Sequence, residues 1–216
     1  MTQLQTIFYN SIIFTEIFSF LIGIIYFKKL KNTYWIWFVV YLTFISFAEL
    51  FAKFGLENFP NYRKYYYNYF IIPLEFLFFF WLYSKKSLKN NYVFYSSIFI
   101  YLISLLALIF GYDEVRIIGS ISYTVGNLCL AVMIFLEFFK QIKSDEILNF
   151  NKNIMFYVNF GVLLFYIGTL PLFTFDKFLF ENDKNLWSNY FTFFLFSVNL
   201  MYLLFTAAFI WGKPQP

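Results

Sequence analysis

The stretch Tyr65–Lys86, YYYNYFIIPLEFLFFFWLYSKK, decides how the rest of the chain is read. About 20 mostly apolar residues cross roughly 30 Å of hydrocarbon. Here they run between an aromatic cluster at Tyr65–Tyr69 and a second flank of Trp81, Tyr83, Lys85 and Lys86. Aromatic and basic residues collect at membrane–water interfaces, so the stretch predicts a transmembrane helix. Two residues near its middle do not suit lipid. Pro73 lacks the N–H that would bond the carbonyl of Tyr69, which predicts a kink and a free acceptor. Glu75 lies beside that bend, and a carboxyl facing hydrocarbon is costly, so it is expected to face protein or a cavity. It reads either as a buried site or as a structural hydrogen-bonding group directed at the Tyr69 carbonyl, Asn127 or Asn199.

Composition extends this reading to the whole chain. Of 216 residues, 61% are hydrophobic and 13% charged, whereas a soluble domain carries about 25% charged residues. The chain is therefore read as an all-α, polytopic inner-membrane protein with lipid as the solvent for most of its surface. The net charge of +4 gathers in short loops, which the positive-inside rule explains, and no nucleic-acid partner is implied. One cysteine, Cys129, cannot form an intramolecular disulfide. With no histidine and one cysteine, a His/Cys metal site and any imidazole-based triad are excluded, and no cofactor or metal is expected. The amino terminus lacks a basic region and a small-residue cleavage site, so it reads as a retained first helix.

Seven helices are predicted over 1–216 as one domain, at about 6–27, 34–54, 65–83, 93–110, 115–139, 154–175 and 188–211. In the first, Glu16 sits near mid-membrane on a face shared with Thr6, Tyr9 and Gly23. In the second, Glu49 and Lys53 fall at i,i+4 near the far interface and predict a structural ion pair. The fifth carries Gly119, Ser120, Ser122, Tyr123, Thr124, Gly126 and Asn127, and small residues allow close approach, so it is expected to be the most enclosed span. The seventh bears Ser188, Thr192, Asn199 and Thr206 as a polar stripe. Glu16, Glu75, Asn127 and Asn199 are the candidates for a ligand or proton site, while the acids are too scattered to suggest catalysis. Placing the amino terminus outside leaves ten Lys and Arg residues on the cytoplasmic side against six outside, so the carboxyl terminus is predicted inside.

The passages Asn68–Trp81, Phe156–Leu172 and Trp187–Phe209 resemble a group of small seven-helix inner-membrane proteins of Bacteroidota that occur in signalling contexts with histidine kinases. The resemblance implies an inner-membrane module of sensory or accessory kind. The leading functional reading is a module that binds a small ligand, lipid or partner helix and signals through a membrane-bound partner, alone or as an oligomer. The competing reading is a small carrier or proton/cation-coupled transporter with a midplane acidic site.

Overall fold

The computed structural model of the chain describes residues 1–110, 121–143 and 150–214. Its helices are α1 (Gln3–Ile25), α2 (Phe27–Leu30), α3 (Ile36–Leu50), α4 (Pro60–Tyr66), α5 (Ile72–Phe80), α6 (Asn91–Ile109), α7 (Ile121–Lys143), α8 (Ile154–Val162), α9 (Leu170–Asn182) and α10 (Lys184–Trp211). The expected residues Gly119 and Ser120 lie outside the described residues. Helix starts follow side-chain chemistry. Thr2 and Gln5 form a reciprocal capping box at the head of α1, and Asn90, Asn153 and Asp183 each accept from first-turn amides of α6, α8 and α10.

Sidedness of α1 and α6 is inverted relative to a water-soluble bundle. α1 buries Gln5, Glu16, Ser19 and Gly23 and turns outward Ile7, Phe14 and Ile25, which are 61%, 71% and 69% exposed. α6 likewise buries Ser97, Tyr101 and Ser104 while presenting Tyr95, Phe99 and Ile103. Polar groups inside and a continuous apolar surface outside suit a lipid solvent. Among the described residues six helices are long and apolar enough to cross a membrane: Gln3–Ile25, Ile36–Gly55, Asn91–Ile109, Ile121–Lys143, Ile154–Asn182 and Lys184–Trp211. The chain is an all-α, multi-pass membrane protein by this measure. The segment Pro60–Ser87 is helical throughout but is not among the six, because its tyrosines, Asn68, Pro73 and Glu75 dilute its hydropathy.

Four stretches wind more widely, with π-type i→i+5 turns: Phe51–Gly55, Tyr67–Ile71, Trp81–Ser87 and Leu163–Ile167. The second precedes Pro73, so the helix accommodates the missing N–H by widening one turn earlier. The fourth precedes the break at Gly168–Thr169, after which Pro171 opens α9.

α10 is the most enclosed span, not the glycine- and hydroxyl-rich α7. In its most apolar window 61% of residues are buried, against 44% in Ile121–Lys143. The reason is position: α10 packs on α1, α8 and α9, with Gly161 of α8 close to the backbone of Met201. Small residues permit close approach on the face that bears them without enclosing the rest of the helix. In α7, Gly126 makes room for the ring of Phe76, while Leu128, Val132 and Phe135 remain exposed.

One end of the bundle holds Lys29, Lys140, Lys152 and Lys213. The Lys29 ammonium donates to the Phe209 carbonyl at 3.0 Å, Lys213 N–H donates to the Lys152 carbonyl, and Lys140 donates to the Ser87 carbonyl at 2.9 Å. The segments Ser84–Tyr92 and Lys140–Asn153, predicted on one side, therefore meet through Ser87 and Lys140.

Candidate functional site

Three carboxyls on three helices line one cavity of about 320 Å³. α1 contributes Glu16, α3 contributes Glu49 and α5 contributes Glu75. The rim holds Tyr9, Lys53 and Arg63, and most of the remaining wall is aliphatic or aromatic, from Ile12 and Ile72 to Phe194 and Met201. Two of the π turns supply Lys53 and Tyr67, so irregular winding aims these side chains at the cavity.

The acids differ in what holds them. Glu16 is 1% exposed, its Oε1 makes no hydrogen bond, and the buried Ser46 hydroxyl is the polar group beside its carboxyl. Unpaired buried oxygens of this kind are costly, typically about 1–3 kcal/mol. Glu75 Oε2 accepts from the Tyr166 hydroxyl at 3.3 Å, longer than a strong O–H···O bond. Its partner is therefore Tyr166, and not the Tyr69 carbonyl, Asn127 or Asn199. Glu49 accepts a short bond of 2.6 Å from Tyr67. Glu16 lies within electrostatic reach of both Glu49 and Glu75.

The predicted Glu49–Lys53 ion pair is not formed. Among the described residues the ion pair joins Lys140 to Glu137, at 3.6 Å. The i,i+4 rule assumes α-helical winding, and the helix widens at Phe51 between the two residues, which rotates Lys53 off the face of Glu49. Lys53 instead lies 5.9 Å from the Phe54 ring centroid, and the Arg63 guanidinium sits 5.8 Å from that of Tyr67. Arg63 also lies against Tyr9, and its Nε is buried without a hydrogen-bond partner.

Asn199 and Asn127 stand outside the cavity lining. Asn199 Oδ1 accepts from Ser11 and Thr15, each at 3.0 Å. Its Nδ2 donates to the carbonyls of Phe8 at 3.0 Å and Leu195 at 2.8 Å. That uses both donors and both acceptor directions of the amide, so Asn199 is a strap between α1 and α10. Asn127 is buried on α7, one turn beyond the cavity-lining Tyr123.

A second carboxyl centre escaped the sequence reading. Glu137 is 1% exposed and accepts from Ser87 at 2.6 Å and Gln141 at 2.9 Å. With Lys140 it ties the end of the Pro60–Ser87 helix to α7. The signal was the spacing Glu137, Lys140, Gln141 on one helical face.

Among the described residues no group of three or more His, Cys, Asp or Glu could hold a metal ion. The cavity's chemistry is that of charge recognition: acids inside, cations at the rim, and apolar walls between. No family model, curated protein or solved structure matches the chain.

Proposed function

We propose that this is a seven-span inner-membrane protein that binds a small cationic solute in its acid-lined cavity and carries it or its proton equivalent across the bilayer. The observation behind this reading is the buried, unpartnered Oε1 of Glu16 facing a cavity it shares with Glu75 and Glu49. Embedded acids lining a cavity are the usual means by which membrane proteins handle protons and cations. Pro60–Ser87 is the seventh span in this account. At about 1.5 Å per residue it reaches roughly 40 Å, more than the hydrocarbon thickness. The lysine-rich end bearing Lys29, Lys140 and Lys213 is placed in the cytoplasm, and the rim with Lys53 and Arg63 outside.

A second reading is a sensory module acting through a membrane-bound partner such as a histidine kinase. An outward apolar groove lined by Trp37, Phe44, Leu77 and Trp81 favours it, because an amphipathic or transmembrane helix packs into such a groove. Both readings need the same ligand site.

Isothermal titration of hexylamine into purified protein in nanodiscs tests that site. The wild type binds saturably, and Glu16→Gln and Glu75→Gln weaken binding at least tenfold while folding normally. Equal heats for wild type and both variants would refute it. Amine uptake by proteoliposomes then separates carrier from sensor.

A further inference from the structure

The cavity's two ends carry opposite and unsatisfied demands. At the inner end Glu16 Oε1 has no hydrogen bond, with the Ser46 hydroxyl beside the carboxyl, and at the rim Arg63, held by Tyr67 and Tyr9 through its guanidinium, keeps a buried Nε–H donor without a partner. Neither Arg63 nor Lys53 forms an ion pair among the described residues, although Glu49, engaged with Tyr67, lies within electrostatic reach of Arg63. A plain cation passes two like charges at the rim before reaching the acids, which lowers its affinity without abolishing binding. A plain anion would be stopped by three carboxyls beyond the rim. A ligand bearing both charges meets each demand in turn.

Separation of the two ends sets the ligand's length. Arg63 lies against Tyr9, and Tyr9 precedes Glu16 by about two turns of α1, roughly 10 Å along the axis. Between them the wall is apolar, with Ile12, Ile13, Ile72 and Val198. An α-amino acid, whose ammonium and carboxylate hang from one carbon, cannot span this distance. We infer that the ligand is an elongated zwitterion, with a primary ammonium held by Glu16 and Glu75, an apolar body, and a terminal carboxylate or similar anion held by Arg63 and Lys53. This rests on the amine-binding reading above and narrows its substrate class.

The test titrates protein in nanodiscs with ω-aminoalkanoates from aminobutanoate to aminodecanoate, and with the alkylamine and the α-amino acid of matching length. Subtracting the heats of Glu16→Gln protein removes partition into lipid. The proposal expects ω-aminooctanoate to bind about tenfold tighter than octylamine, a difference of about 1.4 kcal/mol, with α-aminooctanoate no better than the amine. Arg63→Gln should erase the advantage by weakening ω-aminooctanoate binding while octylamine binds equally well or more tightly, because a like charge leaves the rim, and Arg63→Lys should restore part of the advantage, which separates charge from folding. Equal affinity for ω-aminooctanoate and octylamine would overturn the zwitterion and leave the amine site standing. So would equal affinity for the two positional isomers. Failure of every amine to bind, or binding indifferent to Glu16→Gln, would overturn both.

Discussion

Tyr67 donates a 2.6 Å hydrogen bond to Glu49 across the gap between two helices, and this bond takes the place of the ion pair that spacing alone assigns to Glu49 and Lys53. It spends the phenol and part of the carboxylate on each other. Glu49 is thereby fixed in the cavity wall, while Glu16 keeps an oxygen free.

A double-mutant cycle distinguishes the two pairings. Removing Tyr67 and Glu49 singly and together should give a coupling of about 1 kcal/mol, as for a hydrogen bond within a membrane bundle. The Glu49–Lys53 cycle should give a value near zero. Thermal unfolding in detergent provides both numbers, and the opposite ranking would restore the ion pair.

Asn199 should behave as a strap. Asn199→Ala removes the strap between α1 and α10, but the hydroxyls of Ser11 and Thr15 can still donate to the carbonyls of Phe8 and Ile12, so it should lower stability by about 1 kcal/mol. Hexylamine affinity, measured well below the unfolding temperature, should stay within twofold. A stable variant that loses binding would place Asn199 in the ligand site instead.

Glu75 separates hydrogen bonding from charge. Gln retains an acceptor for the Tyr166 hydroxyl, so Glu75→Gln should be nearly silent in thermal unfolding. Glu75→Leu leaves that phenol unpaired and should cost about 1 kcal/mol or somewhat more. A Gln variant that unfolds like the Leu variant would show that the fold itself needs the carboxylate.

Membrane sidedness is open to cysteine labelling in a Cys129→Ser background. Lys89→Cys and Lys143→Cys should react with an impermeant maleimide from the cytoplasmic face, and Asn61→Cys from the opposite one. Labelling of Asn61 and Lys89 from one face would remove Pro60–Ser87 from the set of spans.

Much of the fold was legible because lipid makes the signal strong. Long apolar runs bounded by aromatic and basic residues mark the helices, and an embedded acid such as Glu16 or Glu75 must turn inward. What could not be read depends on local winding and on neighbours distant in sequence. The i,i+4 argument for Glu49 and Lys53 fails at the π turn beginning at Phe51, which no simple periodicity reveals. Asn199 and Glu16 look alike as buried polar residues. They differ only in that Asn199 finds Ser11 and Thr15 on α1, whereas Glu16 Oε1 finds no partner. Tyr67 reads in the sequence as one of an interfacial aromatic cluster, and only folding brings it, Arg63 and Tyr166 beside the acids. Position in the bundle likewise decided that α10, and not α7, is the most enclosed helix.

The central claim is that an amine sits against Glu16 and Glu75, and chemical protection locates it there. A hydrophobic carbodiimide modifies membrane-embedded carboxyls, and peptide mapping by mass spectrometry reads each site separately. With the tertiary amine N,N-dimethylhexylamine present, which the activated carboxyl cannot convert to an amide, carbodiimide modification of Glu16 and Glu75 should fall several-fold while that of Glu137, engaged with Ser87 and Gln141 at the other end of the bundle, stays unchanged. Unaltered modification of Glu16 at a saturating amine concentration would contradict the account.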